Sequence, residues 1–151
     1  MLDALARLPL RVLAYGWVLV QRALGRGPGT RPGVHAVALT PSGNIVLVRL
    51  RYATGWRLPG GGRGEREDPV AAVLRELTEE IGLLAHGAVE PLQPGELYLV
   101  RDVVYRPRWT MEVEEVMEAA VDALPGDLAE PARRALAQAL TRFDELMKTD
   151  A

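Results

Sequence analysis

The segment from Pro59 to Leu83 constrains this chain more than any other. Pro59 opens a glycine run, Gly60-Gly61-Gly62, which lets a backbone approach a ligand closely, with a plain loop as the alternative. A helix follows whose start and stop are both written in the sequence. Asp68 is a capping residue, Pro69 suits the first helical position, and Gly82 suits a left-handed stop. At about 100° per residue, Val70, Leu74, Leu77 and Ile81 form one narrow stripe, which is the expected buried face. Glu76, Glu79 and Glu80 fall on the other side, within an arc of about 100°. Three carboxylates so placed repel by roughly 0.2–0.5 kcal/mol per neighbouring pair, and more when partly buried. Arg75, four residues before Glu79, offsets only part of this. Hard divalent cations such as Mg²⁺ and Mn²⁺ favour carboxylate oxygens and backbone carbonyls, so a metal held between helix and glycine loop is one reading. A solvated acidic face is the other.

The whole string is more specific than the helix. Gly61, five residues, Glu67, seven residues, then Arg75-Glu76-Leu77-Thr78-Glu79-Glu80-Ile81-Gly82-Leu83 resembles the Nudix box, G-x5-E-x7-R-E-U-x-E-E-x-G-U, at every fixed position. Trp56-Arg57-Leu58-Pro59-Gly60 resembles the family's lead-in. The resemblance implies an α/β fold, a Nudix-like α/β/α sandwich with a mixed β-sheet, here preceded by an extra N-terminal helix. It also implies hydrolysis of a nucleoside diphosphate linked to another group, such as a nucleotide sugar, ADP-ribose, a dinucleotide or a nucleoside triphosphate. By position, Glu76, Glu79 and Glu80 resemble the ligands of Mg²⁺ or Mn²⁺, and the Gly60 carbonyl resembles a backbone ligand. Arg75 resembles the residue that orients the carboxylates, and Glu67 a supporting acid. Glu79 or Glu80 would accept the proton of the attacking water. Many members add a later acid. Counting back from Asp122-Ala123-Leu124-Pro125, Glu112 aligns best, with Glu114 and Glu115 beside it and a solvated acidic strand as the alternative.

Two departures from the family pattern stand out. Arg66 replaces the usual Gly before Glu67, and Gly64-Glu65 shifts the usual loop acid. The stretch from Leu83 to Glu112 is short, with Gly95–Tyr105 expected as one long strand or a tight pair. Substrate recognition is then reduced, or completed by a second subunit in a homodimer, and a catalytically weak nucleotide-binding or membrane-peripheral regulator is the rival reading.

Around this motif, Val34–Leu39 and Ile45–Leu50 are β-rich runs joined by Pro41-Ser42-Gly43-Asn44, which predicts a β-hairpin. Arg49, Arg51 and Arg57, with Arg106 and Arg108, are candidates for substrate phosphates, and Trp56, Tyr52 and Trp109 for a stacked base. The end of the chain, through Pro131–Leu136, Leu140, Phe143, Leu146 and Met147, reads as an amphipathic helix closing the sandwich. The absence of Cys excludes disulfides, thiolate metal sites and a cysteine nucleophile. All but one of the 18 basic side chains are Arg, so Lys148 is the sole amine and Schiff-base chemistry has no candidate. A net charge of −2 gives no case for DNA binding, and the lack of a basic run disfavours a capped-RNA substrate.

That net charge hides an opposition between the ends. Up to Gly33 the chain holds Arg7, Arg11, Arg22, Arg26 and Arg31 against Asp3, whereas the residues from 111 on are acidic. Residues 1–26 are expected to form an amphipathic or apolar helix, 27–33 a Gly/Pro linker, and 34–151 the catalytic domain. The uninterrupted apolar run, Val12 to Val20, is about half of what a spanning helix needs. Asp3 and the lack of a small-x-small site argue against a secretory signal, which gives a cytoplasmic expectation. The helix packs on the domain or a partner, or lies at a membrane surface, where Tyr15 and Trp17 with flanking arginines would also suit it.

Overall fold

The computed structural model describes residues 10, 12–20 and 33–149. The expected 1–26 helix and 27–33 linker otherwise lie outside the described residues, as do the side chains of Phe143, Leu146 and Met147. The element order is α1 (residues 12–20), β1 (Val34–Ala38), β2 (Ile45–Leu50), β3 (Trp56–Arg57), β4 (Gly60–Gly61) and α2 (Pro69–Ile81). Then come β5 (Leu83–Ala85), β6 (Val89–Gln93), β7 (Leu97–Val100), β8 (Val104–Tyr105), β9 (Val113–Ala119) and α3 (Glu130–Thr149). A four-stranded mixed sheet runs β4-β1-β7-β6, with β1 and β7 parallel, and a three-stranded antiparallel sheet runs β3-β2-β9. Strands β5 and β8 form a small pair of their own.

The layering follows from strands that are apolar on both faces. Val34, Ala36 and Ala38 of β1, Val46 and Val48 of β2, and Tyr98 and Val100 of β7 pack with Ala72, Val73, Leu77 and Ile81 of α2. The alternate residues Val37, Ile45, Leu47, Leu97 and Leu99 pack on Ala132, Leu136 and Ala139 of α3. This is an α/β/α sandwich with one helix on each side of the strands.

Two local expectations are corrected. The segments around β1 and β2 do not form a hairpin. They share one bridge, Leu39↔Ile45, and then diverge, β1 into parallel pairing with β7 and β2 into antiparallel pairing with β9. The turn is real, with Gly43 N–H donating to the Thr40 carbonyl at 2.9 Å. Both strands carry apolar residues on both faces, so each is buried inside a different sheet rather than at the edge of a shared ribbon. Likewise Gly95–Tyr105 is neither one strand nor a pair. Asp102 turns the chain with φ 52, a left-handed conformation that a short polar side chain tolerates. Strand β7 then pairs with β1 and β6, and β8 with β5.

Candidate active site

The site is built where β4 crosses the second half of α2. Asp68 caps the helix, its side chain accepting from Ala71 N–H, and Gly82 ends it in the left-handed region with φ 71. Between these ends the buried face differs from the expected stripe. Val70 and Leu74 are only half-buried, while Ala72, Val73, Glu76, Leu77, Glu80 and Ile81 are buried. The burial is turned toward the carboxylates because the glycine run lies over them. Gly60 N–H donates to Glu80 Oε2 at 2.9 Å. A Cβ at Gly61 would stand 2.7 Å from Glu76 Oε1, and one at Gly60, where φ is +154, would stand 2.2 Å from the Val34 carbonyl oxygen. Glycine is required at both places by close approach.

Glu76 and Glu80 are therefore 8% and 5% exposed, and Glu79 alone of the three has a largely exposed side chain. Burial pushes the Glu76 carboxyl up to about 7, with Arg75 beside it working in the opposite direction. Burial, and after it the charge of Glu76, holds Glu80 well above the usual carboxylate range. Arg75 is the hub that the box places among them. Its Nε and Nη2 donate to the two oxygens of Glu67 at 2.8 and 3.0 Å, a bidentate pair, and Nη2 also reaches the Gly62 carbonyl at 2.9 Å. Its Nη1 faces Glu76 at 3.1 Å and Glu79 at 3.3 Å. The Arg75 hydrogen bonds hold Glu67 below the usual range, and Glu67 in turn accepts Gly64 N–H at 3.1 Å, which ties loop to helix. Arg75→Gln should lower stability at pH 7 by about 1–3 kcal/mol, because several carboxylates lose their donor at once. The urea midpoint reads this directly, and an unchanged midpoint would remove Arg75 as the organiser.

Glu76, Glu79 and Glu112 line one cavity of ≈ 590 Å³, together with Gly60, Gly61 and Trp17. Glu80 faces a smaller adjoining space of ≈ 200 Å³, bordered again by Glu76, Glu79 and Glu112. The structure thus brings Glu112 to the helix carboxylates from just before β9, whereas Glu114 and Glu115, on β9, line neither space. Burial raises the Glu112 carboxyl, and a hydrogen bond from Trp17 opposes the rise. That contact, Trp17 Nε1 to Glu112 Oε1 at 3.1 Å, spans 95 residues and was not legible in the sequence. Trp17 stood out only as an aromatic in an apolar run.

A divalent cation fits the donor set: two buried carboxylates, a third on the same helix face and Glu112 opposite, of which the Arg75 guanidinium reaches Glu76 and Glu79. As they stand, no three His, Asp or Glu side chains among the described residues are gathered closely enough to hold an ion, since Glu76 is turned to Arg75 and Glu80 to the Gly60 N–H.

The expected substrate residues separate. Arg49 stacks over Trp56, its Cζ 4.6 Å from the ring centroid, and pairs with Asp127 at 2.8 Å. Arg51 lies 5.8 Å from the Trp109 ring centroid, and its Nη2 donates to the Val113 carbonyl at 3.3 Å. Arg57 instead borders a second cavity of ≈ 470 Å³, also lined by His35, Gln93, Glu96 and Arg134, which meets the first at Gly60 and Tyr52. Burial, followed by the nearby Glu112, Glu80 and Glu76 charges, holds the Tyr52 hydroxyl above its usual range, so it stays protonated and can donate a hydrogen bond at this junction.

Residues 29–151 match the family model of the NUDIX domain. Nudix hydrolase 25 of Arabidopsis thaliana is 45% identical over 60 residues, 38% of this chain and 34% of that protein. An RNA pyrophosphohydrolase of Stenotrophomonas maltophilia is 41% identical over 70 residues, 46% of this chain and 34% of its own length. The chain spans about a third of the length of these curated relatives, at 34% for both. Among solved structures, a MutT NUDIX hydrolase from Burkholderia pseudomallei superposes with a TM-score of 0.58 at 29% identity, over 70% of this chain and 95% of that one.

Proposed function

The chain belongs to the NUDIX domain family, and we propose that it hydrolyses the pyrophosphate linkage of a nucleoside diphosphate derivative with the help of Mg²⁺ or Mn²⁺. The observation that carries this reading is the junction of the two cavities at Gly60 and Tyr52. A diphosphate in the acidic cavity leaves the nucleoside, or the group linked to it, beside His35, Gln93 and Glu96, which offer hydrogen-bonding groups to a base or sugar.

Glu76, Glu79, Glu80, Glu112 and the Gly60 carbonyl would hold the metal. Bound there, it neutralises the diphosphate, polarises the P–O bond and lowers the pKa of a water. Arg75 and Glu67 keep the carboxylates in register. Glu79 or Glu80 takes the proton from the water that attacks phosphorus, and the bridging P–O bond breaks. The relatives named RNA pyrophosphohydrolases add a 5′-triphosphorylated RNA to the substrates worth trying.

The test is a release assay over nucleotide sugars, ADP-ribose, dinucleotides, nucleoside triphosphates and that RNA, with either metal. Turnover of at least one, with ¹⁸O from labelled water in the phosphate product and strongly reduced turnover by Glu79→Gln and Glu80→Gln, is the expected result. No turnover by the wild type, with ligand bound equally by the variants, would leave a nucleotide-binding regulator. Arg57 supplies a finer check. Its Nε is buried without a hydrogen-bond partner, and among the described residues its guanidinium has no carboxylate ion pair. Arg57→Ala should raise KM by about 10- to 100-fold, the value of a charge-assisted contact, and change kcat less. An unaltered KM would take Arg57 out of the site.

A further inference from the structure

Helix α1 has two unlike faces. Ala14 and Val18 are buried against the domain, and Trp17 beside them reaches Glu112. At about 100° per residue, Tyr15, Leu19, Val12, Gly16, Val20 and Leu13 follow around the other side over an arc of about 160°. The large side chains of that arc are from 48% (Leu19) to 64% (Val12) exposed. No charged residue lies between Val12 and Val20. A helix apolar all round is ordinarily buried, so among the described residues this outer face is left largely uncovered.

We propose that the outer face of α1 docks on an anionic lipid bilayer, lying along its surface. Among the described residues no helix is long and apolar enough to cross a membrane, so the segment suits the interface, where Tyr15 on the outer arc is well placed. Charge selects the occupant. In the sequence Arg11 and Arg22 bracket the apolar run, and Arg7, Arg26 and Arg31 lie beyond them against the lone Asp3. Anionic headgroups complement that charge. A second copy of the chain docked symmetrically through α1 would instead set one basic segment against another. Because α1 also walls the acidic cavity through Trp17 and Val18, docking brings the bilayer to roughly one helix diameter, ~10 Å, from that cavity. The docking stands whether or not the chain proves to be a hydrolase.

Flotation of the full chain with vesicles tests this without any activity measurement. The floated fraction should be about tenfold greater with phosphatidylcholine vesicles containing phosphatidylglycerol than with phosphatidylcholine alone. Brominated acyl chains should quench part of the tryptophan emission. The double variant Leu13→Glu, Leu19→Glu, altered only at exposed positions, should lose flotation and quenching together. Arg11→Glu with Arg22→Glu should lose the preference for anionic vesicles. Failure of the wild type to float on anionic vesicles overturns the proposal, as does a double variant that floats equally well. A solution dimer of the wild type that the double variant splits would assign the face to a second copy and overturn it too.

Discussion

Glu80→Gln should make the protein more stable and nearly inactive. In the wild type a carboxyl group with 5% exposure receives, among the described residues, a single hydrogen bond, from Gly60 N–H at 2.9 Å, and lies next to Glu76, whose charge it resists. Glutamine keeps an oxygen that can accept the same N–H, so the glycine loop stays in place, while the cost of burying a charge there, or of holding a proton on it at pH 8, disappears. At pH 8 without divalent metal, the thermal midpoint should rise by several degrees. The same change removes an anionic metal ligand and a candidate proton acceptor, and kcat should fall by about 10²- to 10⁴-fold. Glu79→Gln separates the two effects. Its side chain is largely exposed, so turnover should fall with little gain in midpoint. A Glu80→Gln protein with wild-type kcat would exclude Glu80 from the chemistry, whatever its midpoint. Opposite signs for stability and activity are the expected mark of a group kept for function.

Much of this was legible before any coordinates, and the reason is local. Asp68, Pro69 and Gly82 mark the ends of α2 through contacts within a turn, and the structure ends the helix where they do. The layered fold was an expectation drawn from the family resemblance of Gly61–Leu83. Long-range partners were not legible. β1 and β2 are β-rich runs joined by a turn, as hairpin strands would be, and only their neighbours β7 and β9, far along the chain, decide that they part after Leu39↔Ile45. The helix face was misjudged for a related reason. Hydrophobic periodicity places Val70 and Leu74 inside, but the glycine loop that covers Glu76 and Glu80 is held by β1, through the register Val34↔Gly61 and His35↔Gly60. Periodicity within a helix carries no information about a backbone that arrives from elsewhere. Trp17 is the extreme case, since nothing local to residues 12–20 points to Glu112.

These two buried carboxylates also set how the protein should respond to pH and metal. Glu76 titrates near 7 in the fold and near 4.5 in an unfolded chain, so between those values the folded state holds the extra proton. Stability from this group is full below the unfolded value and is lost as pH rises through about 7, on the order of 3 kcal/mol in all. Glu80, also shifted upward, acts in the same direction. Glu67 acts the other way, because its value is depressed by Arg75, and it costs stability only as pH falls through its folded value. In chelator, the thermal midpoint should therefore decline from about pH 5 to pH 8, by an amount on the order of 10 °C for a chain of this size. Saturating Mg²⁺ or Mn²⁺ at pH 8 should restore most of that loss, since an ion bound only by the folded state at 100 times its Kd adds about 2.7 kcal/mol. Metal affinity should weaken by up to tenfold per pH unit below 7 for each proton that a ligand must first release. Glu80→Gln should flatten the chelator curve and blunt the response to metal together. A wild-type midpoint that is level from pH 5 to 8 in chelator, or indifferent to both ions at pH 8, would mean that the carboxylates are stabilised by the fold itself and not kept for a cation.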